Sequence, residues 1–141
     1  MLLVLLVACV RLKEGDYGLD YDPVKLDTCN LYDGGQVSAD TTGELAWEED
    51  ELVFELDGTD DDLVFEVEDT DFTRESFGLV PLDDNCALAT VQDDEGTMLS
   101  DTDFEGETRL TADFQGDCVL WEIVFDPPCL VEFDWEGTYA D

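Results

Sequence analysis

The 141-residue sequence contains no histidine, and this absence excludes the best-known forms of nucleophilic catalysis. Ser-His-Asp and Cys-His arrangements both need an imidazole as the general base. The sequence also lacks a phosphate-binding loop, a dinucleotide fingerprint and a Gly-x-Ser-x-Gly elbow. Paired carboxylates, which glycosidases use, carry no information in a chain with 39 acidic residues. The sequence therefore predicts a protein that is not an enzyme.

Basic residues are almost as scarce, with 5 Lys+Arg against 39 Asp+Glu and a formal net charge of −34. Nucleic-acid binding depends on lysine and arginine to displace phosphate counterions, so we expect no nucleic-acid partner. An anionic membrane surface is disfavoured for the same reason. Cations, cationic surfaces or neutral ligands remain as partners. Most of the acidic residues are interpreted as a solvated surface suited to high ionic strength, and DNA mimicry is the less favoured alternative.

No hydrophobic run is long enough to span a bilayer, which takes about 20 residues. The longest run is Leu2–Val10, which has the length of the end of a signal-peptide hydrophobic region. It contains Leu6-Val7-Ala8-Cys9, which resembles the lipobox of bacterial lipoproteins. The resemblance implies that residues 1–8 are a signal-peptide remnant, that Cys9 carries the lipid, and that residues 9–16 tether the domain to a membrane.

Val10 follows the cysteine of this motif. In bacterial lipoproteins an Asp at that position is the usual signal for inner-membrane retention, so the resemblance points to the outer membrane or the cell surface. The alternative is a buried N-terminal strand with an ordinary core cysteine. In that case the protein would be periplasmic or secreted without a lipid.

Four cysteines remain once Cys9 is set aside: Cys29, Cys86, Cys118 and Cys129. None belongs to a Cys-x-x-Cys unit, and without histidine a zinc site is a poor fit. An even number of cysteines predicts two disulfides and an oxidising, extracytoplasmic compartment.

Apolar and polar residues alternate through the chain. The clearest cases are residues 104–114 and 129–139, where every second residue is apolar or small. Leu52–Leu56 and Leu63–Val67 are near copies on either side of an acidic loop, which predicts a hairpin. Turn signals occur at Asp33–Gly35, Asp83–Asn85, Asp93–Gly96, Gln115–Asp117 and Asp126–Pro128. The pattern predicts an all-β domain over residues 17–141, a single antiparallel barrel or sandwich of roughly eight to nine strands with meander connections.

The barrel alternative also predicts which cysteines pair. The first and last strands of an up-and-down barrel run antiparallel, and aligning Tyr17 with Tyr139 brings Cys29 nearly opposite Cys129. We therefore expect Cys29–Cys129 and, by exclusion, Cys86–Cys118.

Two kinds of binding site remain open. Calcium is the one candidate cofactor, because the loop Asp57–Asp62 offers Asp57, Asp60 and Asp62 as oxygen ligands. Asp101–Gly106 resembles the start of an EF-hand loop, but Ala112 occupies the twelfth position, where a bidentate Glu belongs. Aromatic residues either line a ligand cavity or fill the core: Tyr17, Tyr21, Trp47, Trp121, Phe133, Trp135 and Tyr139.

These observations favour an exported acidic surface lipoprotein that acts as a structural, interaction or binding module. The alternative is a soluble exported β-barrel that binds a ligand or calcium and has no lipid anchor.

Overall fold

A computed structural model describes residues 10–32, 34–124 and 126–140, which form a nearly all-β structure around one nine-stranded antiparallel sheet. The strands are β1 (Gly15–Tyr21), β2 (Leu26–Asp27), β3 (Thr41–Glu48), β4 (Glu51–Leu56), β5 (Asp62–Glu68), β6 (Asp71–Pro81), β7 (Cys86–Met98), β8 (Asp103–Gly116) and β9 (Cys129–Tyr139). A short 3-10 helix covers Val119–Trp121. Within these ranges no helix has the length and hydrophobicity needed to cross a bilayer. Cys9, the apolar run before it and Asp33 lie outside the described residues.

The sheet closes on itself, which decides between the barrel and the sandwich. β1 pairs with β9, and Tyr17 lies opposite Tyr139, the alignment on which the disulfide prediction rested. Eight strands form the closed barrel in the order β1-β3-β4-β5-β6-β7-β8-β9, and β2 continues along the free part of β9. β4 and β5 form the predicted hairpin.

Two boundaries differ from those expected. Asp93–Gly96 is not a turn but the middle of β7, because this stretch pairs with β6 on one side and with β8 on the other. Residues 10–14 are docked on the barrel instead of forming a free tether. The side chain of Leu12 is 2% exposed, and the backbone N–H of Lys13 donates to the carbonyl of Asp101.

Both disulfides are present with the expected pairing, Cys29–Cys129 and Cys86–Cys118. The first joins the segment after β2 to the start of β9, across 100 residues of sequence. In the loop-closure model a bond over such a length stabilises the fold by about 4.7 kcal/mol, because it restricts the unfolded chain. The second holds the loop after β8 against the start of β7.

Aromatic rings fill one half of the barrel, and Phe104 is at their centre. Its ring centroid lies 5.5 Å from that of Tyr17, 5.3 Å from Phe54, 5.7 Å from Phe72 and 6.0 Å from Trp135. Such tilted and edge-on contacts are the favourable ones for aromatic pairs. This half of the core is therefore held by ring packing between strands that are distant in the sequence.

Tyr17 contributes a polar group to this aromatic half. It is fully buried, and its hydroxyl donates to the carbonyl of Lys13 at 2.8 Å. Burial, with the nearby charge of Asp101 as a smaller cause, raises the pKa of Tyr17 to about 12.

Glycines on neighbouring strands make room for these rings. The ring of Phe72 covers Gly96, that of Trp135 covers Gly106, and that of Phe104 covers Gly137. A methyl group at any of the three positions would overlap the ring above it. Small residues beneath large ones allow the inward faces of adjacent strands to be filled without voids.

We predict that Gly137→Ala destabilises the barrel, because the added methyl group must displace the buried Phe104 ring. Overpacking of this kind costs roughly 1–3 kcal/mol. Gly18→Ala is the matched control: it lies in β1, and the nearest atom to its added methyl is 3.9 Å away. Urea unfolding of both variants gives the comparison. Equal stability of the two variants would refute the ring-over-glycine account.

Candidate binding site in the barrel

The two ends of the barrel differ. One end carries residues 10–14, the turns after β3, β5 and β7, and Ala140, whose N–H donates to Asp16; we call it the termini end. The other end carries the connections after β4, β6 and β8 and the long segment that leads into β3; we call it the loop end. The aromatic core closes the termini end, so the interior is reached from the half of the barrel nearer the loop end.

A cavity of about 230 Å³ lies inside the barrel toward the loop end. Its floor is formed by the rings of Phe54, Phe104 and Trp135. Val37 and Ser38, from the segment before β3, line it near the mouth. Most of the remaining wall is apolar: Leu19, Leu56, Leu63, Phe65 and Phe133. Eight-stranded barrels have interiors that are either just filled by side chains or hold one small ligand.

One wall of the cavity is polar. Asp94 is 5% exposed and is the only buried charged residue in the described part of the chain. Its carboxylate accepts from Arg74 at 3.2 Å, from Gln92 at 3.2 Å and from Thr108 at 2.5 Å. Thr108 accepts in turn from the indole N–H of Trp135 at 2.9 Å. The network satisfies the carboxylate, as a buried charge requires.

Register explains why these side chains meet. Arg74 on β6 lies opposite Asp94 on β7, and Asp94 lies opposite Thr108 on β8. All three have the inward parity of the core residues on their strands, such as Phe72 and Phe104. Strand register alone therefore brings these three polar side chains together, because they are directly opposed on adjacent strands.

The guanidinium of Arg74 has hydrogen-bonding capacity left. One of its terminal nitrogens donates to both Asp94 and the hydroxyl of Ser76. The guanidinium carries five N–H donors on three nitrogens, and the hydrogen bonds to Asp94 and Ser76 use only one of these nitrogens. Asp94 already balances the positive charge, so the wall offers hydrogen bonds without a net charge.

The aromatic residues considered from the sequence separate into three groups. Tyr21, Phe133 and Trp135 line the cavity. Tyr17 and Tyr139 pack edge-on at the termini end with ring centroids 5.5 Å apart. The two remaining tryptophans serve elsewhere. Trp47 donates its indole N–H to the carbonyl of Leu12, and Trp121 donates its own to Asp83.

The acidic loop proposed for calcium connects β4 to β5. Asp57 accepts a hydrogen bond from Thr42, and Asp60 and Asp62 are exposed. Among the residues that the structure describes, no group of three acidic or cysteine side chains is arranged to hold a metal ion. Calcium binding by Asp57, Asp60 and Asp62 stays a prediction.

The outer face of the barrel carries rows of acidic residues. Glu95 lies opposite Glu107, and Glu107 lies opposite Asp134. Like charges in directly opposed positions destabilise a sheet. Lys25 relieves part of this repulsion, because its ammonium lies 2.6 Å from Glu107 and 2.8 Å from Asp134. The hydrogen bonds to Asp134 and Glu107 raise the pKa of Lys25 above its usual value.

Sequence reasoning missed Asp94 as a site residue because Asp93–Gly96 was interpreted as a turn. Parity was the available signal: Asp94 is separated by even numbers from Cys86, Leu88 and Met98, which are all buried. An acid on the apolar face of a long strand needs a partner that also points inward. Arg74 is such a partner, because it is two residues from the buried Phe72 and so shares its inward parity.

Comparisons of the chain with protein-family models, with curated proteins and with solved structures give no match. The interpretation of the site therefore depends on its own geometry.

We predict that Asp94→Asn destabilises the fold by roughly 3 kcal/mol, because it leaves the largely buried Arg74 without its counter-charge. Asp93→Asn is the matched control, since it removes the same charge from the next residue, on the outer face. Its effect should stay within about 0.5 kcal/mol. Removing both partners with Arg74→Met and Asp94→Leu should cost less than the sum of the single changes. Urea unfolding at fixed salt measures all three. Similar losses for Asp94→Asn and Asp93→Asn would contradict a buried pair.

Proposed function

We propose that this chain is an exported binding module whose barrel cavity takes a small, uncharged and mostly apolar ligand with a hydrogen-bond acceptor. The observation that carries the proposal is the combination of an apolar cavity with one polar wall, toward the loop end of the barrel. Apolar walls with a few placed polar groups are the usual composition of small-molecule sites.

The size and charge of the site define the ligand class. A volume of about 230 Å³ is below the range of drug-sized pockets, roughly 300–1,000 Å³, and suits a molecule of about one ring. An anionic ligand is disfavoured by the net charge of −34 and by the neutralisation of Arg74. A cationic ligand would find no free carboxylate in the cavity wall, because Asp94 is already bound by Arg74, Gln92 and Thr108. A carbonyl or ether oxygen accepts from Arg74 without either penalty.

Export and anchoring complete the proposal. Two disulfides favour folding in an oxidising, extracytoplasmic compartment. The lipobox-like Leu6–Cys9 precedes residues 10–14, which are docked at the termini end. A lipid on Cys9 would therefore hold the barrel with its cavity mouth directed away from the membrane, where a ligand can reach it.

We predict that cyclohexanone, as a one-ring acceptor, binds the barrel more tightly than methylcyclohexane or cyclohexanecarboxylate. The indole N–H resonance of Trp135 reports binding in an NMR titration, because this group lies in the cavity wall. Leu63→Trp should abolish binding by filling the cavity. Val64→Trp, on the next and outward-facing residue, should leave it unchanged. Binding that survives Leu63→Trp, or no binding to the wild type at millimolar ligand, would refute the cavity as the site.

We predict that a fatty-acid analogue labels the full-length protein in a Gram-negative host and that Cys9→Ser abolishes the label. One acyl chain anchors a protein only marginally, and a lipoprotein carries several. The wild type should therefore also partition with membranes. Cys86→Ser with Cys118→Ser serves as the control, because it removes two cysteines and leaves the motif intact. Equal labelling of wild type and Cys9→Ser would refute lipid attachment at Cys9 and favour the alternative without a lipid anchor.

A further inference from the structure

β6 has one open edge over most of its length. Pairing with β5 extends only from Glu68 opposite Asp71 to Glu66 opposite Thr73. On its other side β6 stays paired with β7 as far as Pro81, which lies opposite Ala87. Residues 74–81 therefore form an edge strand, and in the described chain no other strand pairs with that side of them.

An edge of this kind is a template for another strand. About half of the N–H and C=O groups of an antiparallel strand point away from its neighbour, and at an open edge they have no ladder partner. Proteins usually protect such edges with charges, proline or a covering loop. Here Ser76–Pro81 carries no charge, and its one proline is the last residue. Phe77 is 75% exposed and Leu79 58%.

The outer groove beside this edge is acidic. It is lined by Val64 and Thr73, by part of Arg74, and by five carboxylates: Glu51, Glu66, Glu75, Asp93 and Glu95. The five ion pairs found among the described residues use other carboxylates. A hydrogen bond with Asp93 raises the pKa of Glu75, as expected for two acids forced together. Among the described residues, the five acids of the groove therefore form no ion pair, although Arg74 lines the groove and Arg109 lies opposite Asp93.

We propose that the open edge of β6, residues 74–81, binds an extended segment of a partner protein that adds one strand to the sheet and carries lysine or arginine on its outward side. Outward residues of the added strand near Glu75 and Glu66 would face the acidic groove, where a cation is favoured. Outward residues near Phe77 and Leu79 would meet apolar side chains. Main-chain hydrogen bonds supply affinity in this mode, and the alternating side chains supply specificity.

A basic partner fits better than a second copy of the same chain. Two copies would bring net charges of −34 together, and such repulsion opposes association at moderate salt. A cationic segment instead gains from the field of the whole protein, and its binding should weaken as salt is added. Strand addition is a surface interaction at the wall of the barrel, so it does not depend on a ligand in the cavity.

The test uses a capped eight-residue peptide that alternates lysine and valine, titrated against the intact protein by calorimetry at low salt. A second peptide has the same sequence with alternate backbone amides N-methylated, so its charge is unchanged but its ladder donors are lost. We expect the first peptide to bind and the methylated one to bind at least about tenfold more weakly. Amide hydrogen exchange should slow at residues 75–80 on binding.

Phe77→Lys with Leu79→Lys should weaken binding by roughly tenfold or more, because lysines on an edge oppose strand addition. Leu26→Lys with Leu99→Lys is the matched control, since it changes the charge equally at two exposed residues: Leu26 lies on β2 beside β9, and Leu99 follows β7 at the termini end. Three results would overturn the proposal: equal binding of both peptides, which indicates diffuse charge attraction; equal loss in the control variant; or a dimer of the free protein that Phe77→Lys with Leu79→Lys abolishes, which assigns the edge to a second copy.

Discussion

Closure of the eight-stranded sheet through the pairing of β1 with β9 is the constraint on which the other features depend. A barrel of this size has an interior that side chains can just fill, so each inward residue competes for limited space. At the termini end the competition is resolved by large rings lying over glycines, as with Phe104 over Gly137. At the loop end smaller and polar side chains leave a cavity. The site is thus the part of the interior that the aromatic core does not occupy.

The same closure separates the charges. Alternation sends the acidic residues outward, where water and salt screen them. Asp94 is the one fully buried acid among the described residues, and it is retained inside because Arg74, Gln92 and Thr108 satisfy its oxygens. Arg74 takes part in two features: its guanidinium pairs with Asp94 inside the barrel, and its backbone is the first residue of the open edge of β6. The gap in pairing between β5 and β6 therefore lies beside the polar network and not beside the aromatic core.

Much of the fold followed from the sequence. Period-2 alternation identified β8 and β9 with their inward faces, and the Tyr17–Tyr139 alignment, made for the barrel alternative, predicted the Cys29–Cys129 bond. Closure itself was not predicted, because a barrel and a sandwich share the same alternation. Alternation is local, so it shows at once which side of a strand is buried. The cavity was not predictable in this way, because its volume depends on how rings from five strands pack together. Asp93–Gly96 was wrongly interpreted as a turn, since local turn chemistry was overridden by pairing on both sides.

A crystal of the protein pressurised with xenon tests most directly whether the interior is filled at one end and open at the other. Xenon enters apolar cavities and reports their position without changing the sequence. We expect one xenon site bounded by Phe54, Phe104 and Trp135, toward the loop end. Xenon beside Tyr17 at the termini end, or a loop end filled by the side chains of Leu56 and Leu63 with no xenon, would contradict it.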